Sequence, residues 1–167
     1  QYNTAYGINA LAAITTGDKN TAIGNTAGSA LTEATDSVLI GNEAGAAITT
    51  GVKNVAVGSF ALDAANTGTE NTAIGHQALT ADTKGGRNVA VGHGTLLNQN
   101  FTSATSSYNI AVGYNAGNSI TTGQSNTLIG ALAGDGFDTE SNNLAIGRAA
   151  LGGAIAGGEY NVAVGNY

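Results

Sequence analysis

The sequence predicts an all-β fold, a parallel β-solenoid of about nine 17-residue coils that runs over residues 1–167 as one domain. Three observations carry this. A five-residue motif, Asn-(Thr/Val)-Ala-(Ile/Val)-Gly, returns along the whole chain. Glycine ends the motif in every copy. The residues between copies carry turn chemistry, and each unit is too short for a helix pair.

The copies begin at Asn3, Asn20, Ser37, Asn54, Asn71, Asn88, Asn109, Asn126, Asn143 and Asn161. The step is 17 residues, except that Asn88 to Asn109 carries four more and Asn143 to Asn161 one more. Self-similarity at such a period is the signature of a solenoid. With the Asn as position 1, Gly fills position 5 in all ten copies, from Gly7 to Gly165. Position 8 is Ala in eight of the nine complete repeats, with Thr95 the exception. Position 9 is commonly Gly or Leu, and position 12 is often Ile or Leu, as at Ile14, Leu31, Ile48 and Ile120. Positions 13 to 15 often read Thr-Thr-Gly, as at Thr15-Thr16-Gly17, Thr49-Thr50-Gly51 and Thr121-Thr122-Gly123.

The motif itself favours extended structure, because β-branched residues alternate with Ala and Gly ends the run. A second short extended segment is expected over positions 8 to 12, followed by a turn. Stacking about nine coils at roughly 4.8 Å each makes a rod about 43 Å long. Position 17 supports in-register stacking. It reads Lys19, Asp36, Lys53, Glu70 and Arg87 in five successive copies, with strictly alternating sign. Stacked neighbours favour opposite charges.

Successive strand residues face opposite ways, so positions 2 and 4 share one face and position 3 takes the other. Both faces are apolar, the pattern of a strand covered on both sides. The expected structural core is the position-4 column: Ile23, Ile40, Val57, Ile74, Val91, Val112, Ile129, Ile146 and Val164. A thin coil covers one face by itself. The other is a stripe of Val and Ile that calls for a second copy of the chain, and cyclic self-association supplies it. The spacing leaves the number of copies open.

Composition narrows the function classes. There are 26 Gly, no Pro, Cys, Met or Trp, and few aromatic residues. Gly does not recur every third residue, which excludes collagen. The absence of Cys removes disulfides and thiolate metal sites. A net charge of −6 with only five Lys+Arg speaks against nucleic-acid or anionic-membrane partners. No apolar run is long enough to span a bilayer as a helix.

The run Asn71-Thr72-Ala73-Ile74-Gly75 and its Asn-Val-Ala-Val-Gly variants resemble the head repeats of trimeric autotransporter adhesins of the YadA type. The longer form, Asn109-Ile110-Ala111-Val112-Gly113-Tyr114-Asn115-Ala116-Gly117 followed by Ile120-Thr121-Thr122-Gly123, is similar to repeat arrays of phage tail fibres and virion appendages. The resemblance implies a left-handed β-roll completed as a homotrimer. It also implies a structural and adhesive role outside the cell, with itself and a host-surface receptor or glycan as partners. It implies neither catalysis nor a cofactor. The repeat is longer than the usual adhesin-head repeat, so its turn is larger.

Other chemistries fit less well. Ile23-Gly24-Asn25-Thr26-Ala27-Gly28 matches one hexapeptide of the left-handed β-helix acyltransferases, but those carry three per coil. His76 and His93, both at position 6 of adjacent coils, are the only histidines for catalysis or metal, and an exposed variable position explains them. No phosphate-binding Gly-x-x-x-x-Gly-Lys-Ser/Thr motif occurs. Asp135, Asp138 and Glu140 match neither calcium-loop pattern and read as a solvated turn. The motif Asn residues lack Ser or Thr two residues on, so they read as a stacked ladder at the strand start rather than as glycosylation sites. An ice-binding face is the main alternative function. It requires regular Thr columns, which Glu33, Asn66, Lys84 and Asp138 interrupt.

The irregular coil between Gly92 and Asn109 is expected to bulge outward within Asn98 to Ser107. Asn100, Phe101 and Thr102 are its candidate binding residues.

Overall fold

The computed structural model describes residues 1–153 and 157–166. It is an all-β parallel solenoid of about nine turns, with no helix among the described residues. The strands are β1 (Thr4–Tyr6), β2 (Thr21–Ile23), β3 (Val38–Ile40), β4 (Val55–Val57), β5 (Thr72–Ile74), β6 (Gly85–Gly86), β7 (Val89–Val91), β8 (Thr105–Ser106), β9 (Ile110–Val112), β10 (Thr127–Ile129), β11 (Leu144–Ile146) and β12 (Val162–Val164). Ten of them form one parallel sheet in the order β1-β2-β3-β4-β5-β7-β9-β10-β11-β12. Each motif pairs with the next in register, as in Val38↔Val55. The register survives the long coil, where Val89 pairs with Ile110.

The expected second strand is absent. Positions 6 to 11 instead form consecutive β-turns, with Ala27 N–H donating to Gly24 O, Ser29 N–H to Thr26 O and Leu31 N–H to Gly28 O. The third residue of the first two turns takes positive φ, as at Thr26 (53°) and Gly28 (58°). That backbone cannot lie extended. The segment still bonds coil to coil, as in Gly28 N–H to Ala44 O (3.0 Å) and Ala30 N–H to Ala46 O (3.1 Å). The left-handed residues include Leu62, Leu79 and Leu96. Each costs roughly 1–2 kcal/mol of backbone strain, which burial of the Leu side chain offsets.

Position 5 needs glycine for two reasons, as Gly58 shows. Its φ is +131°, and a Cβ there would lie 2.6 Å from the carbonyl of Gly75 in the next coil. Position 1 stitches the rod along its length. The Oδ1 of Asn54 accepts from the backbone N–H of Asn71 (3.0 Å), and its Nδ2 donates to Gly68 O (2.8 Å) at the far end of its own coil. The stacked Asn ladder is therefore real, and it also closes most coils. Asn20, Asn54, Asn71, Asn109 and Asn126 are all buried and engaged in this way, whereas the buried Asn88 donates its Nδ2 to Asn71 Oδ1 and accepts from Asn109 N–H and Ser107 Oγ.

The interior of the single chain is built from positions 3, 8, 9 and 12, for example Ala56, Ala61, Leu62, Leu31, Ile48 and Phe137. The position-4 column lies on the opposite, outward face of the sheet. Ile40, Val57, Val91, Val112 and Ile146 are half-buried there. Ile23, Ile74 and Ile129 are 38–39% exposed, and Val164, on the end strand, is 72% exposed. Of the alternating charges at position 17, Arg87 and Glu70 form an ion pair at 2.8 Å, the only one among the described residues. Both side chains are largely in solvent, so the pair adds little stability.

Candidate functional site at the irregular coil

The four extra residues lie between Phe101 and Ser106, where the regular coil would close. Position 12 departs from its apolar pattern just there, with Asp82 and Gln99 in two successive coils. Both are buried. Asp82 Oδ1 accepts from the backbone N–H of Gly85 (2.8 Å) and of Phe101 (3.2 Å), and its Oδ2 accepts from Gln99 Nε2 (2.6 Å). Gln99 Oε1 in turn accepts from Asn109 Nδ2 (2.7 Å). The root of the insertion is thus tied into the Asn ladder. A buried carboxylate is tolerated here because both oxygens are bonded.

The loop is also held from outside. Thr105 and Ser106 form β8, which pairs in parallel with β6, Gly85–Gly86. Arg87 donates to Glu70 Oε2 (2.8 Å), Ser106 Oγ (2.8 Å) and Tyr108 Oη (2.9 Å), and its guanidinium lies 5.6 Å from the Tyr108 ring centroid. Thr102 to Ala104 and Ser106 are exposed. Of the three candidate binding residues, Asn100 and Thr102 are exposed, whereas Phe101 is only 5% exposed. Its backbone is drawn inward by Asp82, and its ring is not offered to a ligand. Sequence reasoning missed Asp82, Gln99 and Arg87. The signal for the first two was the break in the position-12 pattern immediately before the insertion.

His76 and His93 are stacked neighbours on one edge, with ring centroids 5.2 Å apart and planes 18° apart. Tyr114 continues the column 5.3 Å beyond His93. Among the described residues, no three His, Asp or Glu side chains converge as metal ligands. The reading of Asp135, Asp138 and Glu140 as a solvated turn holds only for Asp138. Glu140 is 7% exposed and accepts from the backbone N–H groups of Asp138, Thr139 and Gly157. Those bonds, that of Asp138 foremost, hold its carboxyl below the usual glutamate range against the opposing effect of burial. Asp135 Oδ1 is buried without a hydrogen-bond partner, and burial pushes its carboxyl up.

No protein-family model, curated protein or solved structure matches this chain.

Proposed function

We propose that this chain is a structural and adhesive fibre module, one strand of a homotrimer displayed outside the cell on a virion appendage or bacterial surface, and that it does no catalysis. The observation that supports this best is the outward face of the ten-stranded sheet. Ile23, Ile40, Val57, Ile74, Val91, Val112, Ile129 and Ile146 line it in one unbroken apolar column, beside a position-2 column of Val38, Val55, Val89, Ile110 and Leu144 interrupted by Thr21, Thr72 and Thr127, and their own chain leaves all of them partly exposed. A parallel sheet normally has both faces covered. A stripe of this length along a rod of about 43 Å matches the repeat of a like rod beside it.

The test is sedimentation equilibrium at micromolar concentration, with a trimer expected. A stable monomer would sink the reading. Val57→Asp is expected to abolish assembly, because each copy would bury an unpaired carboxylate at the contact.

The ice-binding reading is weakened by the Thr column at position 13. The hydroxyls of Thr15, Thr32 and Thr49 each donate to the carbonyl of the next coil, at 3.0, 3.1 and 3.2 Å. They reinforce the stack rather than present a free array to water. A thermal-hysteresis assay discriminates the two readings, with no activity expected.

A further inference from the structure

We infer that the corner shaped by the insertion is a binding site for a carboxylated sugar. A groove of about 180 Å³ opens there, lined by Thr67, Thr69, Lys84, Gly86, Thr105 and Ser106. This deepens the adhesive reading and rests on it for its biological purpose, although binding itself can be measured independently.

The lining dictates the ligand chemistry. Its polar side chains are hydroxyls and one ammonium. Among the described residues, the hydroxyls of Thr67 and Thr69 make no hydrogen bond within the chain, and the ammonium of Lys84 has neither an ion-pair nor a hydrogen-bond partner. The acids close by in sequence are otherwise engaged. Glu70 is taken by Arg87, and Asp82 is buried and bonded to Gly85, Phe101 and Gln99. In a chain of net charge −6, a half-buried cation without a counterion is a place for an anion. Neutral hydroxyls that can both donate and accept suit the ring hydroxyls of a sugar. No aromatic or large aliphatic side chain lines the groove, so a peptide side chain would find no apolar pocket. The volume is below the roughly 300 Å³ at which drug-sized sites begin, which suits a single sugar unit.

The site is also preorganised. β8 is paired to β6, Ser106 is held by Arg87, and the loop root is held by Asp82. A ligand therefore need not order the loop, which is the usual loss on binding to a mobile segment. The groove exists only where the 17-residue pattern is broken, and its foundation replaces an apolar core position with Asp and Gln. Departures from a protein's own structural rule concentrate at functional sites.

The experiment is a ¹H–¹⁵N NMR titration of the whole chain with D-glucuronate, with D-glucose and inorganic phosphate as comparison probes. Glucuronate is expected to shift the amides of Thr67, Thr69, Gly86 and Thr105 saturably, with a dissociation constant on the order of 1 mM. Glucose and phosphate should each bind about tenfold more weakly, since each lacks one half of the recognition. Lys84→Gln should weaken glucuronate by about tenfold. Ala104→Trp, a change at an exposed loop position, should block the groove while leaving the amide spectrum of the sheet intact. The absence of saturable shifts at these amides would overturn the inference. So would phosphate binding as tightly as glucuronate, or Lys84→Gln without effect. The oligomeric state measured on the same sample separates the two ideas. A glucuronate-binding monomer would sink the trimeric fibre and keep the site, and a trimer without saturable binding would do the reverse.

Discussion

Leu39 is seated between two glycines: Gly45 in its own coil, where a Cβ would lie 2.8 Å from Leu39 Cδ2, and Gly28 in the coil before, where one would lie 2.7 Å from Leu39 Cδ1. The arrangement recurs at Leu128, with Gly134 and Gly117. In other coils the strand contributes Ala and the turn contributes Leu, as with Ala56 and Leu62 or Ala73 and Leu79, while the coils with Ala22 and Gly28 or Ala111 and Gly117 contribute neither and are filled in part by Leu39 and Leu128 of the next coil. No coil supplies a Leu from both the strand, at position 3, and the turn, at position 9. Gly45→Ala is therefore expected to destabilise the chain by about 1–3 kcal/mol through overpacking. Leu39→Ala with Gly45→Leu should recover most of that loss. Urea unfolding of the single and double variants measures the coupling, and independent additive losses would refute the exchange.

Asn71 carries two jobs that a smaller side chain can do only in part. Its Oδ1 accepts from Asn88 N–H (3.0 Å) and its Nδ2 donates to Gly85 O (3.0 Å). Asn71→Ala should cost about 3 kcal/mol, because a buried donor and a buried acceptor both lose their partners. Asn71→Ser should cost less. Ser37 at the equivalent position still accepts from Asn54 N–H (3.2 Å), which shows that a hydroxyl can serve the inter-coil bond. Equal losses for both variants would show that coil closure, not the ladder, carries the energy.

Acid should act on two carboxyls in opposite directions. The carboxyl of Glu140 is held low by the backbone N–H of Asp138, with further help from Gly157 and Thr139. Its contribution is present above the usual 4.5 and is lost as pH falls through its depressed folded value. Glu140→Gln should thus be less stable than the parent at neutral pH, and the gap should close in acid.

The carboxyl of Asp63 is raised, chiefly by burial, and its Oδ1 is buried without a partner. Its ionised form opposes folding above the raised value, and that penalty fades as pH falls through it. Asp63→Asn should raise the melting temperature at pH 7, with a smaller gain in acid. A pH-independent difference for either variant would show that packing, not charge, is responsible.

Deleting Thr102 to Thr105 should restore the 17-residue step and leave the stack folded. Thr102, Ser103 and Ala104 are exposed, and the sheet register already passes from Val89 to Ile110 without them. The expected outcome is an unchanged β-rich circular dichroism spectrum, a stability change of about 1 kcal/mol or less and loss of the groove. An unfolded product would make the insertion part of the core.

The parallel stack, its 17-residue register and the Asn ladder were legible in the sequence, because each depends on one residue type recurring at one position. Asn at position 1 in nine copies and Gly at position 5 in all ten have no other explanation that holds along the chain. The second side of each coil was not legible. Leu and Ala at positions 8 to 12 look like a strand, and only the tertiary structure shows Leu62 and Leu96 held at φ 53° and 49°. Local preference disfavours that backbone. It is imposed by hydrogen bonds from the coils on either side and by a cavity that needs a Leu side chain, and both arise only once coils are stacked. The same applies at the irregular coil. The sequence located the insertion by arithmetic, but Phe101 turns inward because Asp82, nineteen residues earlier, binds its backbone N–H. Neighbours so far apart in the chain are brought together by the stack, and their chemistry is decided there.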